Sequence, residues 1–403
     1  MSARPRLAVV ATHPIQYYAP LFRTLSERGN VDVRVFYEWE GGSQAPALDR
    51  NFGQAVQWDV PLLDGYPHEF VPNRSPDPGT HHFRGLDNPS LVHRILAYRP
   101  SAVLMFGWNY ASHLHALRAF HGRVRVLFRG DSTLLGEVPG FRRIARRAWL
   151  RYVYRHVDIA VFVGRHNRDY FAAHGLRDEQ LVWGPHAVDN ARFADPDGVK
   201  EADARRWRAS LGIPDGAPTF VFAGKLDENK QPDRLLDAFL ALGDSPAHLV
   251  FVGSGPLEGD LRARAAPGRV HFVGFQNQSR MPVAYRLGDV LVLPSRKETW
   301  GLAVNEAMAS GRSVVVSDGV GCAPDLVVEG KTGTVVASGR VGPLREALDA
   351  FVTDPGRAAR LGRASAAHIA AWNLGTLAEQ IETSTLRAAP HTASTLSHFP
   401  RLR

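Results

Sequence analysis

The sequence contains very little cysteine and no long apolar run. Cys322 is the only cysteine among 403 residues, which excludes a disulfide framework and a zinc-ribbon site. The longest apolar runs, such as residues 7–11, have about five residues, whereas a helix that crosses a bilayer needs about 20. Thr12 and His13 end the first run too early for a secretory signal. We therefore expect a cytoplasmic protein.

Lysine is also scarce, although the chain is basic. Lysine and arginine together number 48 against 40 acidic residues, and the net charge of +8 favours anionic partners. A codon bias toward arginine would explain the scarcity, yet Lys225, Lys230 and Lys297 lie in loops where the motifs below predict a phosphate site. No recognised nucleic-acid-binding module accompanies the charge, so we do not expect nucleic acid as a partner.

The pattern of apolar segments predicts an α/β protein with two doubly wound domains. A chain of 403 residues is too long for one hydrophobic core. Continuous apolar runs alternate with amphipathic segments, which is typical of parallel strands buried on both faces. The expected strands are residues 7–12, 31–38, 102–107, 124–129, 159–164, 219–224, 248–253, 270–275, 290–295, 313–318 and 333–336. Residues 40–90 are irregular and suggest long loops with a minor hairpin.

Turn-rich sequence after residue 182 places the boundary between the domains at 184–191. We expect an N-terminal domain over residues 1–187 and a C-terminal domain over residues 188–370. A helix at 371–390 should pack back on the N-terminal domain, and residues 391–403 should form a disordered tail.

Two glutamates eight positions apart form the strongest motif. Glu298 follows the strand 290–295, and Glu306 lies in a helix predicted over 302–310. The amides of Gly301, Leu302 and Ala303 open that helix, where unpaired N–H groups favour a phosphate. A carboxylate accepts two hydroxyl hydrogen bonds, so the two acids suit sugars on either side of a phosphate. The alternative is an ordinary loop acid and a solvated helix residue.

A second motif places two cations after the strand 219–224. Lys225 and Lys230 can close on a diphosphate from one side, because both follow the carboxyl end of a strand. The alternative is a solvated loop in which Asp227 and Glu228 neutralise the lysines.

These motifs together resemble the retaining GT-B glycosyltransferases of family 4, the "glycosyl transferases group 1" type. Trp300 stands where that family usually has Phe or Tyr, and His186 stands in a linker where it often has Asn. The turn at 252–256, the strand end at 273–275 and the segment 325–333 match as well. The first half of the chain matches mainly in layout.

The resemblance implies two Rossmann-like domains facing across a cleft, with the acceptor on the N-terminal domain and a nucleotide-sugar on the C-terminal one. It implies that Glu306 binds ribose, that Glu298 contacts the transferred sugar, and that Trp300 and Phe275 lie on the sugar-donor side. Lys225, Lys230 and the amides of residues 301–303 would neutralise the leaving diphosphate. We expect a UDP-sugar, retention of configuration, and no metal or cofactor. The only short-spaced Asp-x-Asp, at residues 195–197, is interpreted as a turn.

The N-terminal domain departs from the family pattern. His13 and Gln16 occupy the first strand–helix loop, where a Gly-Gly pair is frequent, and they could touch acceptor or phosphate. The alternative is an ordinary capping loop. Arg129 and Asp131 follow a strand where a histidine is frequent. Arg129 would take an electrostatic role and Asp131 would bind a hydroxyl, unless the two form an internal ion pair.

An arginine-rich segment at 141–156 predicts a basic amphipathic helix. Arg143, Arg147, Arg151 and Arg155 share one face, which suits an anionic membrane surface at the inner face of the membrane. A solvated surface helix is the alternative. The acceptor class stays open between a sugar, a lipid-linked molecule and a small molecule. A nucleotide-sugar epimerase on the same scaffold and a catalytically silent binding protein are the competing functions.

Overall fold

The computed structural model describes residues 4–41, 47–49 and 54–386, and it contains two α/β domains. Seven parallel strands form the N-terminal sheet in the order β5-β2-β1-β6-β7-β8-β9, and β3 and β4 form a separate antiparallel hairpin. These strands are β1 Arg6–Ala11, β2 Asp32–Tyr37, β3 Ala47–Asp49, β4 Gln54–Val56, β5 His68–Phe70, β6 Ala102–Phe106, β7 Arg125–Arg129, β8 Ile159–Phe162 and β9 Leu181–Trp183.

Six parallel strands form the C-terminal sheet in the order β12-β11-β10-β13-β14-β15. They are β10 Thr219–Ala223, β11 His248–Val252, β12 Val270–Phe272, β13 Val290–Leu293, β14 Ser313–Ser317 and β15 Gly333–Val336. Every residue of β10, β11, β13 and β14 is buried, because helices cover both faces of the sheet.

Fifteen helices connect and cover the strands in the described part of the chain. The N-terminal domain carries α1 Ala19–Arg28, α2 Leu91–Tyr98, α3 Ala111–Phe120, α4 Phe141–Tyr154 and α5 Arg165–Ala173. The remaining helices are α6 Asn190–Phe193, α7 Val199–Ser210, α8 Pro232–Leu240, α9 Glu258–Arg264, α10 Met281–Tyr285, α11 Leu302–Ala309, α12 Ala323–Leu326, α13 Val341–Thr353, α14 Arg357–Ile369 and α15 Leu374–Leu386. None of these helices combines the length and apolar character that crossing a bilayer requires.

Each predicted strand is present, although most end one to three residues earlier than expected. The expected strand 270–275 ends at Phe272, and the strand 290–295 ends at Leu293. Residues 273–275 and 294–295, which were expected to continue these strands, belong instead to the loops that follow them. The strands β5 and β9 were not predicted, because three residues give too short a pattern. The predicted minor hairpin is confirmed as β3 and β4.

The chain crosses between the domains twice. It leaves the N-terminal sheet after β9 and passes through residues 184–189 to α6. It returns after α14, so that α15 packs on the N-terminal domain through Leu377, Ala378 and Ile381. Arg28 of α1 donates hydrogen bonds to both carboxylate oxygens of Glu382 of α15, which fixes the helix there. The expected disordered tail at 391–403 lies outside the described residues.

Candidate functional site

A cleft of about 950 Å³ separates the carboxyl edges of the two sheets. This edge is where ligands of open α/β sheets bind. The candidate catalytic, donor-side and acceptor-side residues predicted from the sequence line the cleft, with the exception of Arg129. The lining candidates are His13, Gln16, Asp131, Lys225, Lys230, Phe275, Glu298, Trp300, Gly301, Leu302, Ala303 and Glu306.

Glu298 is held by a backbone frame that leaves its carboxylate facing Lys230. Its N–H donates to the carbonyl of Gly319 at 2.9 Å, and its own carbonyl accepts from Gly321 N–H at 3.2 Å. A Cβ at Gly321 would lie 2.0 Å from a backbone oxygen, so glycine is required for this close approach. The Glu298 carboxylate accepts a hydrogen bond from the Lys230 ammonium and another from the Ser295 hydroxyl at 3.3 Å. The loop therefore presents one acid and one cation side by side.

The two lysines of the loop after β10 are both partly buried. Lys230 is fixed through its backbone N–H, which donates to Asp227 at 2.9 Å, while the Lys225 ammonium lies 3.9 Å from the same carboxylate. Burial lowers the pKa of Lys230 to about 8, partly offset by the Asp227 charge. An ammonium that has lost its hydration in this way gains most from a new anionic partner.

The amino end of α11 opens into the same space. Gly301 precedes the helix with φ of 101°, a left-handed conformation that strains any residue with a side chain. Leu302 and Ala303, the first two residues of the helix, both line the cleft, and the first N–H groups of a helix have no partner within it. The arrangement is suited to bind a phosphate, since unpaired amides and the helix dipole favour negative charge.

Glu306 is a buried carboxylate with one oxygen unpartnered. The hydroxyl of Tyr285 donates to its Oε2 at 2.6 Å, whereas its Oε1 has no hydrogen-bond partner among the described residues. Burial raises the pKa of Glu306 to about 7, and the Tyr285 hydrogen bond and the Arg192 charge only partly oppose this effect. Tyr17 of the N-terminal domain packs on the same core, and the nearby Glu306 charge helps to raise its pKa. A buried acceptor without a partner is expected to bind a ligand hydroxyl.

Trp300 connects the Glu298 loop to the linker between the domains. Its indole N–H donates to Asn305 at 2.8 Å, and the Asn305 amide donates to the carbonyl of His186 at 2.8 Å. The ring of Trp300 lies 5.6 Å from that of His186 and 5.4 Å from that of Trp372, so it touches both crossings of the chain.

The N-terminal domain contributes the opposite wall. The ring of His13 lies 5.6 Å from Trp39, and its Nδ1 lies 2.9 Å from the Thr12 hydroxyl. Asp131 reaches across the cleft, where its carboxylate accepts a hydrogen bond from the Thr299 hydroxyl at 2.7 Å. The two domains are thus in polar contact beside Glu298.

The structure corrects the position expected for Arg129. Its buried guanidinium donates to the carbonyls of Gly184 at 2.9 Å and Pro185 at 2.8 Å, so it holds the linker and does not line the cleft. The alternative of an internal ion pair is not formed either: no salt bridge joins Arg129 to Asp131, although the Asp131 charge acts on the guanidinium from a distance. Burial lowers the pKa of Arg129 to about 10, and the group stays charged at neutral pH.

Sequence reasoning assigned His186 only to the linker, but the structure places it in the cleft wall. Burial, together with the nearby Arg129 charge, holds its pKa well below the usual value, so the imidazole is neutral at pH 7. The unusual histidine in the linker was the available signal.

One group of potential metal ligands was also missed. Asp77, His81 and His82 have ligand atoms within 4.8 Å of one another, on a loop of which Asp77 and His81 line the cleft. Both imidazoles lie near the Asp77 carboxylate, at 2.9 Å and 3.3 Å, which polar contacts within the loop also explain. The Asp-x-Asp segment at residues 195–197, by contrast, serves as a turn. The Asp195 carboxylate accepts hydrogen bonds from the backbone N–H groups of Lys200 and Glu201 in the first turn of α7.

Comparisons with known proteins agree with this architecture. The family model described as "Glycosyl transferases group 1" matches residues 203–368. A D-inositol 3-phosphate glycosyltransferase of Streptomyces avermitilis is 33% identical over 231 residues, which cover 54% of this chain and 47% of that protein. A GDP-mannose-dependent alpha-(1-6)-phosphatidylinositol monomannoside mannosyltransferase of Mycobacterium tuberculosis is 30% identical over 305 residues, covering 72% and 77% respectively.

The chain therefore spans about half the length of the first relative and about three quarters of the second. Among solved structures, Anabaena HepE in complex with UDP has a TM-score of 0.72 at 18% identity, over 94% of this chain and 99% of that one. This likeness covers both domains, and it confirms the predicted fold of two Rossmann-like domains facing across a cleft. With the match to the mycobacterial protein, the conclusion is that the chain belongs to the glycosyl transferases group 1 family.

Proposed function

We propose that the protein transfers a sugar from a nucleoside diphosphate-sugar to a hydroxyl acceptor, with retention of configuration and without a metal. The observation that carries this proposal is the convergence of three groups in one cleft. They are the ammonium of Lys230, the first amides of α11 and the unpartnered carboxylate oxygen of Glu306. In a nucleoside diphosphate-sugar, the diphosphate lies between the ribose and the transferred sugar. The ammonium and the amides suit the diphosphate, and the carboxylate oxygen suits a sugar hydroxyl.

Donor binding would exchange the partner of Lys230. In the described structure the Lys230 ammonium is neutralised by Glu298. A diphosphate carries more charge and can also reach Lys225 and the amides of Leu302 and Ala303. It would replace Glu298 as the partner of Lys230, and the released carboxylate would accept hydroxyl hydrogen bonds from the transferred sugar. Glu306 would accept from the ribose, because its Oε1 has no partner among the described residues.

In the transfer step the bond between the anomeric carbon and the phosphate oxygen breaks, and its electron pair goes to the diphosphate. The acceptor oxygen forms the new bond from the same face, and its proton passes to the departing phosphate oxygen. The fixed cations and amides stabilise the charge that develops on the diphosphate. This scheme needs no strong general base, which fits a cleft in which burial lowers the pKa of His186 and so makes its imidazole a weak proton acceptor.

The names of relatives suggest which substrates to try. The mycobacterial relative is named for GDP-mannose, the Streptomyces relative for an inositol phosphate, and the Anabaena structure contains UDP. We propose a UDP-sugar first and GDP-mannose second. The proposed acceptor carries a free hydroxyl and is a sugar, a lipid-linked molecule or a small metabolite.

The test combines binding with turnover. Thermal shifts with UDP, GDP and ADP identify the base, since a ligand that binds only the folded state raises the melting temperature. Each UDP-sugar is then incubated with a panel of acceptors, and the product anomer is assigned by NMR. The proposal predicts transfer with retained configuration. Interconversion of the sugar without acceptor would instead identify an epimerase, and binding without any turnover would identify a silent binding protein.

A further inference from the structure

Large apolar side chains are exposed at the amino end of α4 and in the segment just before it. Val138, Phe141 and Ile144 are 79%, 78% and 69% exposed. Single exposed apolar residues are common on protein surfaces, but three within seven positions form a patch. Other exposed apolar residues in the described part of the chain, such as Val199 at 55%, lie singly along the sequence.

The helix geometry shows that this patch is an outward face. Leu150, Val153 and Tyr154 are the buried residues of α4 and define its inner side. The opposite side of the first two turns carries Phe141, Ile144, Ala145 and Ala148, all of them exposed. These positions follow the 3.6-residue helical repeat. The helix is therefore apolar on its inner side, where it meets the core, and again on its outer side.

The flanks of this outer face are strongly basic. Residues 141–155 contain no acidic side chain and have arginine at positions 142, 143, 146, 147, 151 and 155. Arg142 is exposed beside the apolar face, whereas Arg146, although exposed, donates to the hydroxyl of the buried Tyr170 at 3.5 Å. Arg147 instead lies 3.6 Å from Glu137, and Arg155 stacks over Tyr152 at 4.4 Å. Two of the four arginines that the sequence predicts to face a membrane, Arg147 and Arg155, are thus engaged in contacts within the protein.

We propose that Val138, Phe141 and Ile144, which we name the apolar tip, insert into the surface of an anionic lipid bilayer while Arg142 beside them contacts a lipid phosphate. An apolar face flanked by arginines matches an interface that is apolar inside and negatively charged outside. The helix lies in the plane of the membrane.

The position of the tip also indicates the acceptor class, an extension that rests on the proposed function. Asp131 lines the cleft, and Val138 follows it by seven residues, a span of at most about 25 Å. The side chain of Lys297, from the Glu298 loop, lies against Gly136 between them. An acceptor anchored in the bilayer by a lipid can therefore place its head group in the cleft, so the inferred acceptor is lipid-linked.

A fluorescent probe tests insertion directly. Cys322 is buried, so Phe141→Cys provides one accessible thiol for an environment-sensitive dye. The dye should shift to the blue with vesicles that contain phosphatidylglycerol, and much less with phosphatidylcholine alone. The matched control is Val199→Cys, which labels an exposed apolar position on α7 and should show no shift. Equal behaviour of the two labelled proteins would overturn insertion.

Vesicle sedimentation of the full chain measures the contribution of the patch. The double variant F141S/I144S should bind phosphatidylglycerol vesicles at least about tenfold more weakly. Arg142→Gln should weaken binding and reduce its salt dependence together, and Val199→Ser should match the wild type. Unchanged vesicle binding by F141S/I144S would contradict the proposal. So would a wild-type dimer that becomes monomeric in this variant, because the patch would then be an interface between two copies of the chain.

Failure of this inference can be told apart from failure of the proposed function. The same variants are assayed for thermal stabilisation by UDP or GDP. If the protein binds nucleotide but not vesicles, only the membrane proposal is refuted. If it binds vesicles but not nucleotide, the proposed function is refuted instead.

Discussion

Replacing Glu306 by glutamine should stabilise the fold and weaken nucleotide binding at the same time. In the native protein, burial raises the pKa of this carboxyl from 4.5 to about 7. The unfolded chain therefore loses the proton first as the pH rises. Between pH 4.5 and 7 the native state binds more protons than the unfolded state, so the free energy of unfolding falls across that window.

The size of the effect follows from the shift. A difference of about 2.5 pKa units corresponds to about 3 kcal/mol lost above pH 7 and nothing below pH 4.5. Glutamine cannot ionise, and its carbonyl oxygen can still accept from the Tyr285 hydroxyl. The advantage of the variant over wild type should therefore grow with pH by about 3 kcal/mol.

Nucleotide affinity should change in the opposite direction. Hydrogen bonds to a charged acceptor contribute about 1.5–3 kcal/mol, so Glu306→Gln should bind UDP or GDP about 10- to 150-fold more weakly at pH 8. Wild-type affinity should fall as the pH drops below about 7, because the carboxyl is then protonated.

Urea unfolding at pH 5 and pH 8 and calorimetric titration of the nucleotide measure the two effects. Glu346→Gln is the control, because this glutamate is exposed on α13 and neither quantity should change. A stability difference that stays flat between the two pH values, or an unchanged dissociation constant, would refute the assignment of Glu306 as a buried acceptor for the ribose.

The other predictions concern the diphosphate, the metal and the linker. Lys230→Ala should weaken nucleotide binding or turnover at least about tenfold, while the exposed Lys331→Ala should not, and wild-type affinity should fall above pH 8 as Lys230 loses its proton. EDTA should leave transfer intact, and a loss of activity restored by a divalent metal would contradict the metal-free mechanism. Arg129→Met should lower the free energy of unfolding in urea by about 3 kcal/mol, because the carbonyls of Gly184 and Pro185 lose their donor, and an unchanged value would contradict its structural role.

The sheets could be predicted from sequence because their strands are buried on both faces. A continuous apolar run such as β10 Thr219–Ala223 predicts a buried strand whatever surrounds it in the folded protein. Ligands of such sheets bind at the carboxyl ends of the strands, and the motif loops follow those ends. Glu298 and Lys230 could therefore be assigned to one site from the sequence alone. In that part of the chain the local pattern and the sheet geometry determine the site.

The parts that could not be predicted depend on contacts between distant segments. Arg129 was placed in the cleft because it ends a strand, but carbonyls 55 and 56 positions further along the chain capture its guanidinium. Burial holds the pKa of His186 below its usual value, and the charge of that same buried arginine lowers it further. Neither contact leaves a periodicity or a motif in the sequence.

The site is complete only when the two domains are joined as they are here. Asp131 of the N-terminal domain bonds Thr299, the residue beside Glu298. Trp300, the next residue, is hydrogen-bonded through Asn305 to the linker and contacts the second crossing at Trp372. Residues 298–300 therefore contact Lys230 of the C-terminal domain, Asp131 of the N-terminal domain and both crossings within three positions. A rotation of one domain would have to break these contacts, so the geometry of the Glu298 loop and the relative position of the domains are coupled.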